Sequence, residues 1–200
     1  MNKLALLLCF LMLAASSCSN TSKVRRVDSQ SRIDLSGRWN DVDAKIVSES
    51  LIRDCLSSSR VEEAIRSSAR KPVVIVGRFR NESSEHIDVS IISSFMEAAI
   101  FNNGRLDFVS GGSLRDEIRS ERNDQQNHAS AETMTRLRNE TGADFMLTGS
   151  VRSIVDRDGN QTVRTYFVTA ELTNIETNQR LWIGQNNEIK KHITQPRNRI

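Results

Sequence analysis

The segment Val73–Val76 constrains the fold most, because four consecutive β-branched residues follow Pro72. Branched side chains favour extended backbone, and an uninterrupted apolar run predicts a strand that is covered on both of its faces. The chain then alternates through Arg78, Phe79 and Arg80. This alternation predicts that the strand leaves the core near Arg80.

Helical periodicity flanks this strand on both sides. The stretch "VDAKIVSESLIRDCLSS" predicts a helix capped by Asp41, and a shorter helix is expected to end before Pro72. The stretch "IDVSIISSFMEAAIFNNGR" predicts a helix that begins after Asp88 and ends at Gly104. Because "RLDFVS" then predicts a second short strand, we expect a right-handed parallel crossover.

The next region predicts two more helices with an irregular stretch between them. Ser113 and Asp116 match a capping box for a helix in "LRDEIRSE". The polar stretch "RNDQQNHAS" predicts irregular chain, and a further helix is expected from about Ala131 to Thr141.

The C-terminal third predicts antiparallel strands. Two long alternating stretches flank Asp158-Gly159, which is a strong hairpin signal, and "RLWIGQNNEIKK" predicts one more strand. The predicted fold class is therefore α/β (α+β layered). It has a mixed sheet of four to five strands with helices packed on it, and a C-terminal antiparallel β-meander.

The first eighteen residues have the pattern of an export signal. Lys3 is followed by a charge-free apolar run, Leu4 to Ala15, which is too short to span a bilayer and has the length of a signal-peptide core. Ala15-Ser16-Ser17-Cys18 then resembles the bacterial lipobox, in which the cysteine is acylated. Ordinary cleavage after a small-x-small stretch is the alternative. An acylated Cys18 followed by Ser19, rather than by aspartate, favours retention at the outer membrane.

These patterns divide the chain into four predicted parts. They are a lipoprotein signal peptide (1–17), the acylated cysteine and a flexible tether (18–36), a single globular domain (37–193) and a frayed tail (194–200). Removal of the signal peptide takes away Lys3, so the formal net charge falls from +3 to +2. Such a nearly neutral chain argues against a nucleic-acid binder.

The residues that usually carry catalysis or bind metals are sparse. Cys55 is the one thiol left in the mature chain besides Cys18, so no intrachain disulfide is expected, and its helical context predicts a buried, inert thiol. His86, His128 and His192 are far apart in sequence. We therefore expect neither a metal site nor any cofactor, and an enzyme is disfavoured.

One polar stretch is a candidate contact surface. Arg78, Arg80, Asn81, Glu82 and Ser83 follow the buried strand directly, so their backbone is expected to be fixed while their side chains reach solvent. Such a surface suits contact with a protein or an anionic polymer, and a solvated loop is the alternative.

Four longer stretches resemble a known family. They are "DLSGRWNDVDAKIVSESLIRDCL", "KPVVIVGRFRNESSEHID", "GADFMLTGSVRSIVD" and "IETNQRLWIGQNNEIKK". They are similar to the LpoB-like lipoproteins, which activate penicillin-binding proteins. The resemblance implies a periplasmic domain similar to the N-terminal domain of TolB, held by its lipid on the outer membrane. It also implies a bifunctional peptidoglycan synthase as partner and no catalysis by the chain itself.

A second class of function stays open. Curli-type secretion lipoproteins contain a related α/β domain, so a structural subunit of an envelope secretion or assembly complex is the alternative to a synthase activator.

Overall fold

The computed structural model describes residues 25–28, 31, 33–130, 132–133, 135 and 139–195. The chain divides into Met1–Ser31 and Arg32–Ile200, and every helix and strand below belongs to the second unit. The predicted signal peptide and Cys18 lie outside the described residues, so the lipid anchor and the four predicted parts of the chain stay predictions. No helix within the described ranges has the length and apolar character needed to cross a membrane.

Four helices lie in the described part of the chain: α1 (Asp41–Ser57), α2 (Ser59–Ser67), α3 (Val89–Asn103) and α4 (Gly112–His128). The predicted cap of α1 is wrong by one residue. Asn40 accepts a hydrogen bond from the Asp43 amide, while Asp43 accepts one from the Asn40 amide, both at 3.0 Å. This reciprocal capping box satisfies two amide groups at once. The predicted start of α3 at Asp88 and its end at Gly104, with φ of 74°, are confirmed.

The strands form one mixed sheet, and the predicted fold class is confirmed. They are β1 (Val73–Asn81), β2 (Asp107–Phe108), β3 (Phe145–Asp158), β4 (Gln161–Asn174), β5 (Arg180–Asn186) and β6 (Lys190–Thr194). The order is β2-β1-β3-β4-β5, and β6 pairs with the first residues of β4. β1 is parallel to β2 and β3, whereas β3, β4 and β5 are antiparallel.

The sheet has six strands in the described residues because the last predicted strand divides in two. The Asn186 side chain accepts a hydrogen bond from the Glu188 amide at 3.1 Å, which turns the chain away from β4. The Ile189 carbonyl then accepts from the Tyr166 amide at 2.9 Å, and β6 pairs again from Lys190. β5 and β6 therefore share one edge of β4.

One face of the sheet forms the core with α1 and α3. We call it the covered face; its residues on β3 and β4 are almost inaccessible, for example Leu147, Val151, Val168 and Leu172. From the helices, Val47, Ile92 and Met96 are also fully buried. Cys55 of α1 lies in this core as predicted, and burial raises the pKa of its thiol to about 12.

Alternate residues of the same strands lie on the other face, which we call the open face. Met146, Ile154 and Ile183 on this face are 37%, 62% and 55% exposed. The start of α4 approaches the open face at β1, since a Cβ added to Gly111 would lie 3.0 Å from Ile75. α4 itself has no buried side chain.

The prediction for the α4 region is confirmed for a helix in "LRDEIRSE" and wrong for its cap, its end and the helix expected after it. α4 begins at Gly112 with Gly111 as its cap, so Ser113 is not the capping residue, and the helix continues through the stretch predicted as irregular. The predicted helix from Ala131 to Thr141 is not formed at the described positions, where Glu132 and Thr133 form a turn. At Thr135 the amide donates to the Gln125 side chain at 3.0 Å and the carbonyl accepts from the Gln126 side chain at 2.8 Å, so both groups bind α4 instead of forming helical hydrogen bonds.

Candidate partner-binding site

The end of β1 is held rigidly by Phe79. The pairing register shifts between Val76 and Phe79, which marks a β-bulge. Beyond it, the Phe79 ring lies against Gly149 of β3; a Cβ at that glycine would be only 2.3 Å from the ring. Arg78 and Arg80 flank this buried side chain, and both are exposed. Their backbone is therefore fixed by packing while their side chains remain in solvent, as predicted.

Arg80 shares a carboxylate with an arginine of the neighbouring strand. Glu82 pairs with Arg80 Nε at 3.3 Å and with Arg152 Nε at 2.6 Å. Both arginine side chains are 67% exposed, so these ion pairs orient the side chains without adding much stability. We call Arg78, Arg80, Glu82 and Arg152 the arginine surface. Sequence reasoning missed Arg152, which lies 70 residues from Glu82.

Asn81 and Ser83, the other two predicted contact residues, shape the loop after β1. Asn81 Nδ2 donates to the Glu85 carbonyl at 2.7 Å, and its Oδ1 accepts from the Ser83 amide and hydroxyl at 3.0 and 2.7 Å. These bonds fold residues 82–88, which we call the contact loop, into a defined turn. The side chains of Asn81 and Ser83 thus hold the loop that carries Glu82 of the arginine surface.

Glu85 anchors the contact loop in the protein, and nothing in the sequence pointed to it. Its side chain is only 9% exposed and pairs with Arg164 Nη1 at 2.7 Å. The Tyr166 hydroxyl donates to the same carboxylate at 2.5 Å, and the Trp39 amide donates at 3.5 Å. Burial, assisted by the bond to Glu85, raises the pKa of Tyr166. The partners lie 46 and 81 residues away in sequence, which hides the cluster from any local pattern.

The arginine surface continues onto the open face of the sheet. Arg80 is in register with Ser150, and Arg152 is in register with half-buried Phe167. Exposed Ile154 follows on β3 two residues further along. Cationic side chains beside apolar ones are the composition expected of a protein contact.

Two other hollows offer less defined chemistry. A groove of about 510 Å³ runs between α2 and the turn before β5, and Arg60, Glu63, Asn174 and Arg180 are among the residues that line it. A smaller one, of about 250 Å³, lies beside the start of α4, between Phe108 and Glu140.

The arginines around the smaller hollow are already engaged. Glu140 pairs with Arg119, Arg122 and Arg115 at 2.8, 3.6 and 3.9 Å, and the Arg119 bond lowers the pKa of Glu140. Across the described ranges, no three His, Cys, Asp or Glu side chains come close enough to hold a metal. The arginine surface is therefore the best-defined candidate for a contact site.

Comparison with known protein families gives a match over most of the domain. The family model described as "Peptidoglycan-synthase activator LpoB" matches residues 43–188. No curated protein sequence matches the chain significantly.

Several solved structures resemble the domain. The LpoB C-terminal domain from Salmonella enterica is 16% identical, with a TM-score of 0.43, over 76% of this chain and 99% of that one. The NMR structure of E. coli LpoB is 13% identical, with a TM-score of 0.43, over 90% and 87%. The PelC dodecamer from Paraburkholderia phytofirmans is 18% identical, with a TM-score of 0.34, over 60% and 74%. Identities this low do not decide the assignment, which rests on the family model: the chain belongs to the LpoB family of peptidoglycan-synthase activators.

Proposed function

We propose that the mature protein is anchored to the outer membrane through acylated Cys18 and activates a bifunctional penicillin-binding protein from the periplasm. The match of the family model to residues 43–188 carries this proposal. The match extends from the first turn of α1 to the residue before Ile189, so it includes the arginine surface and the contact loop. The chain acts as a regulator and performs no catalysis of its own.

An activator of this kind works through differential binding. It must bind the active conformation of the synthase more tightly than the inactive one, and each tenfold difference in affinity corresponds to about 1.4 kcal/mol. A rigid contact surface suits this task because little conformational entropy is lost when it binds. Phe79 packed on Gly149 and the bonds of Asn81 supply that rigidity.

We assign the contact to the arginine surface, with Arg78 and Arg80 as its main cationic groups. Arginine is enriched among the residues that contribute most to binding free energy, because its planar guanidinium can donate two parallel hydrogen bonds to one carboxylate. Asn81 and Ser83 act by holding the contact loop in shape. A partner surface with carboxylates is the natural complement.

The partner is tested by capture from envelope extracts. The lipidated protein, carrying an affinity tag, is incubated with detergent-solubilised envelopes, and the captured material is labelled with a fluorescent penicillin. We expect a labelled band of a large penicillin-binding protein. Self-assembly of the chain into a large ring, with no penicillin-labelled partner, would instead favour the secretion-complex alternative.

The contact surface is tested by charge reversal with a matched control. R78E/R80E should weaken capture of the synthase at least about tenfold, because cationic contact groups become repulsive. The control, R53E/R60E, makes the same change in net charge at two exposed arginines on α1 and α2. Equal capture of the synthase by both double mutants would show that the contact surface lies elsewhere.

The lipid anchor is tested separately by metabolic labelling with a fatty-acid probe. Wild type should be labelled and sediment with outer-membrane vesicles, whereas Cys18→Ala should lose both properties. Equal labelling of the two proteins would exclude acylation of Cys18.

A further inference from the structure

The N-terminal segment Asp34–Asn40, which we call the strap, is bound to the edge of the sheet. Lys191 Nζ donates to Asp34 Oδ1 at 2.5 Å and to the Arg38 carbonyl at 3.0 Å. Lys191 also pairs with Asp43 of α1, and its side chain is only 8% exposed. A buried lysine with two carboxylates and a carbonyl fixes the strap at the point where it enters α1.

Gly37 allows the strap to lie flat on β6. Its φ is +64°, and a Cβ added there would lie 2.4 Å from Ile193 Cγ1. Any larger residue must push the strap away from the strand or displace Ile193. The Gly37 carbonyl meanwhile accepts a hydrogen bond from Arg164 Nη1 at 3.2 Å.

The same groups hold the contact loop. Arg164 Nη1 binds the Gly37 carbonyl and also pairs with Glu85, so one guanidinium joins the strap to the loop. Trp39 of the strap donates its amide to Glu85 and packs its ring edge-on against Tyr166, with centroids 5.1 Å apart. Tyr166 in turn donates its hydroxyl to Glu85.

Hydrogen bonding in this cluster is incomplete, so it depends on the contacts that it has. Among the described residues, Glu85 Oε1 and Arg164 Nε are buried without a hydrogen-bond partner, although the ion pair joins the two side chains. A buried carboxylate is tolerated only while its charge is compensated. If the strap leaves, Glu85 loses the Trp39 amide and the aromatic cover at the same time. Water then reaches the carboxylate, and the bonds of Asn81 are left to hold the contact loop with a weakened Glu85 anchor.

We infer that docking of the strap sets the conformation of the contact loop, with Glu85 as the positioning residue that links the two. Docking or release of the strap therefore changes the arginine surface. Binding at the arginine surface changes the strength of strap docking by the same free energy, because linked equilibria are reciprocal. Binding of an acidic protein partner strengthens strap docking, while pulling on the tether weakens binding. This role in regulation rests on the proposed function of the arginine surface; the coupling itself does not.

Hydrogen exchange of the full chain, without any partner, tests the coupling. Gly37→Ala should accelerate amide exchange in the strap and in the contact loop together, by at least about fivefold, the lower end of usual coupling. Gly104→Ala is the matched control: that glycine also has positive φ, at +74°, but has nothing within 4 Å. Gly104→Ala should leave amide exchange unchanged in both the strap and the contact loop. A faster strap with an unchanged contact loop would overturn the inference.

The reverse direction gives an independent test. Glu85→Gln should accelerate exchange in the strap as well as in the loop, and an unchanged strap would again overturn the coupling. Protection of the α1 amides reports whether each variant is folded; if Glu85→Gln is not, Tyr166→Phe removes only the hydroxyl bond and is measured in its place. R78E/R80E, by contrast, should leave exchange in the strap unchanged. Failure of synthase capture therefore leaves this result untouched, and the two proposals fail separately.

Discussion

The two faces of the sheet share the same strands but have different roles. On β3, Leu147 is fully buried on the covered face, whereas its neighbour Met146 is 37% exposed on the open face. On β6, Lys191 is 8% exposed and Lys190 is exposed. Because side chains alternate along a strand, adjacent residues can lie in the core and in solvent. The covered face holds the fold together, whereas the open face and the arginine surface are exposed, and our proposal places the partner at the arginine surface.

The largest expected effect comes from the two lysines of β6. Lys191→Ala leaves buried Asp43 without its cation, and breaking a buried ion pair costs about 3–5 kcal/mol. Lys190→Ala, one residue earlier on the open face, should change the free energy of unfolding by less than about 0.5 kcal/mol. Urea unfolding of both variants measures the difference, and equal losses would contradict the assignment of faces.

The apolar pair on β3 gives the next comparison. Leu147→Ala should lower the free energy of unfolding by about 2–5 kcal/mol, because it opens a cavity between β3 and the helices. Met146→Ala, on the open face, should cost less than about 1 kcal/mol because its side chain is already partly hydrated. A loss of similar size at Met146 would show that the open face is covered in solution.

Cys55, which lies in the core at the covered face, makes the free energy of unfolding depend on pH. Its pKa is raised from 9.0 to about 12, first by burial and then by Asp54, so the unfolded thiol ionises before the folded one. Stability from this source is complete below about pH 9 and falls as the pH rises towards 12, since the unfolded state then holds fewer protons. In a background with Cys9 and Cys18 replaced by alanine, Cys55→Ala should reduce the loss of stability between about pH 7.5 and 10. A reduction no larger than experimental error would place the thiol in solvent.

The smallest effect on stability is expected at the arginine surface. R78E/R80E should change the free energy of unfolding by less than about 0.5 kcal/mol, because both side chains are in solvent. Thermal unfolding of this variant, compared with R53E/R60E, measures the change. A melting temperature lowered by more than a few degrees would show that the arginines stabilise the fold, and binding data on the variant would then have to be reinterpreted.

The sequence predicts the elements of the core better than the exposed ones. Two helices of 17 residues, α1 and α4, show why. α1 buries eight residues, so its apolar period is visible in the sequence and only its cap was misplaced. α4 buries none, and its extent depends on polar contacts such as Gln125 with Glu121 at 2.9 Å. A pattern-based prediction has nothing to detect there.

The candidate contact surface could be predicted only in part, for the same reason. Arg78 and Arg80 follow a strand whose burial is evident from its composition, so their exposure was foreseeable. Arg152 and Glu85 were not, because each reaches the site through pairing between distant segments. No local period encodes such contacts, and only the assembled sheet brings these groups together.

The most direct test of the account is the rate of glycan polymerisation by the captured synthase, measured on its lipid-linked disaccharide substrate with increasing amounts of the protein. We expect wild type and R53E/R60E to raise the rate to the same plateau, and R78E/R80E to need at least about tenfold more protein to reach it. A synthase that binds the wild-type protein without any change in rate would contradict the activator role, and identical titration curves for the two double mutants would contradict the site.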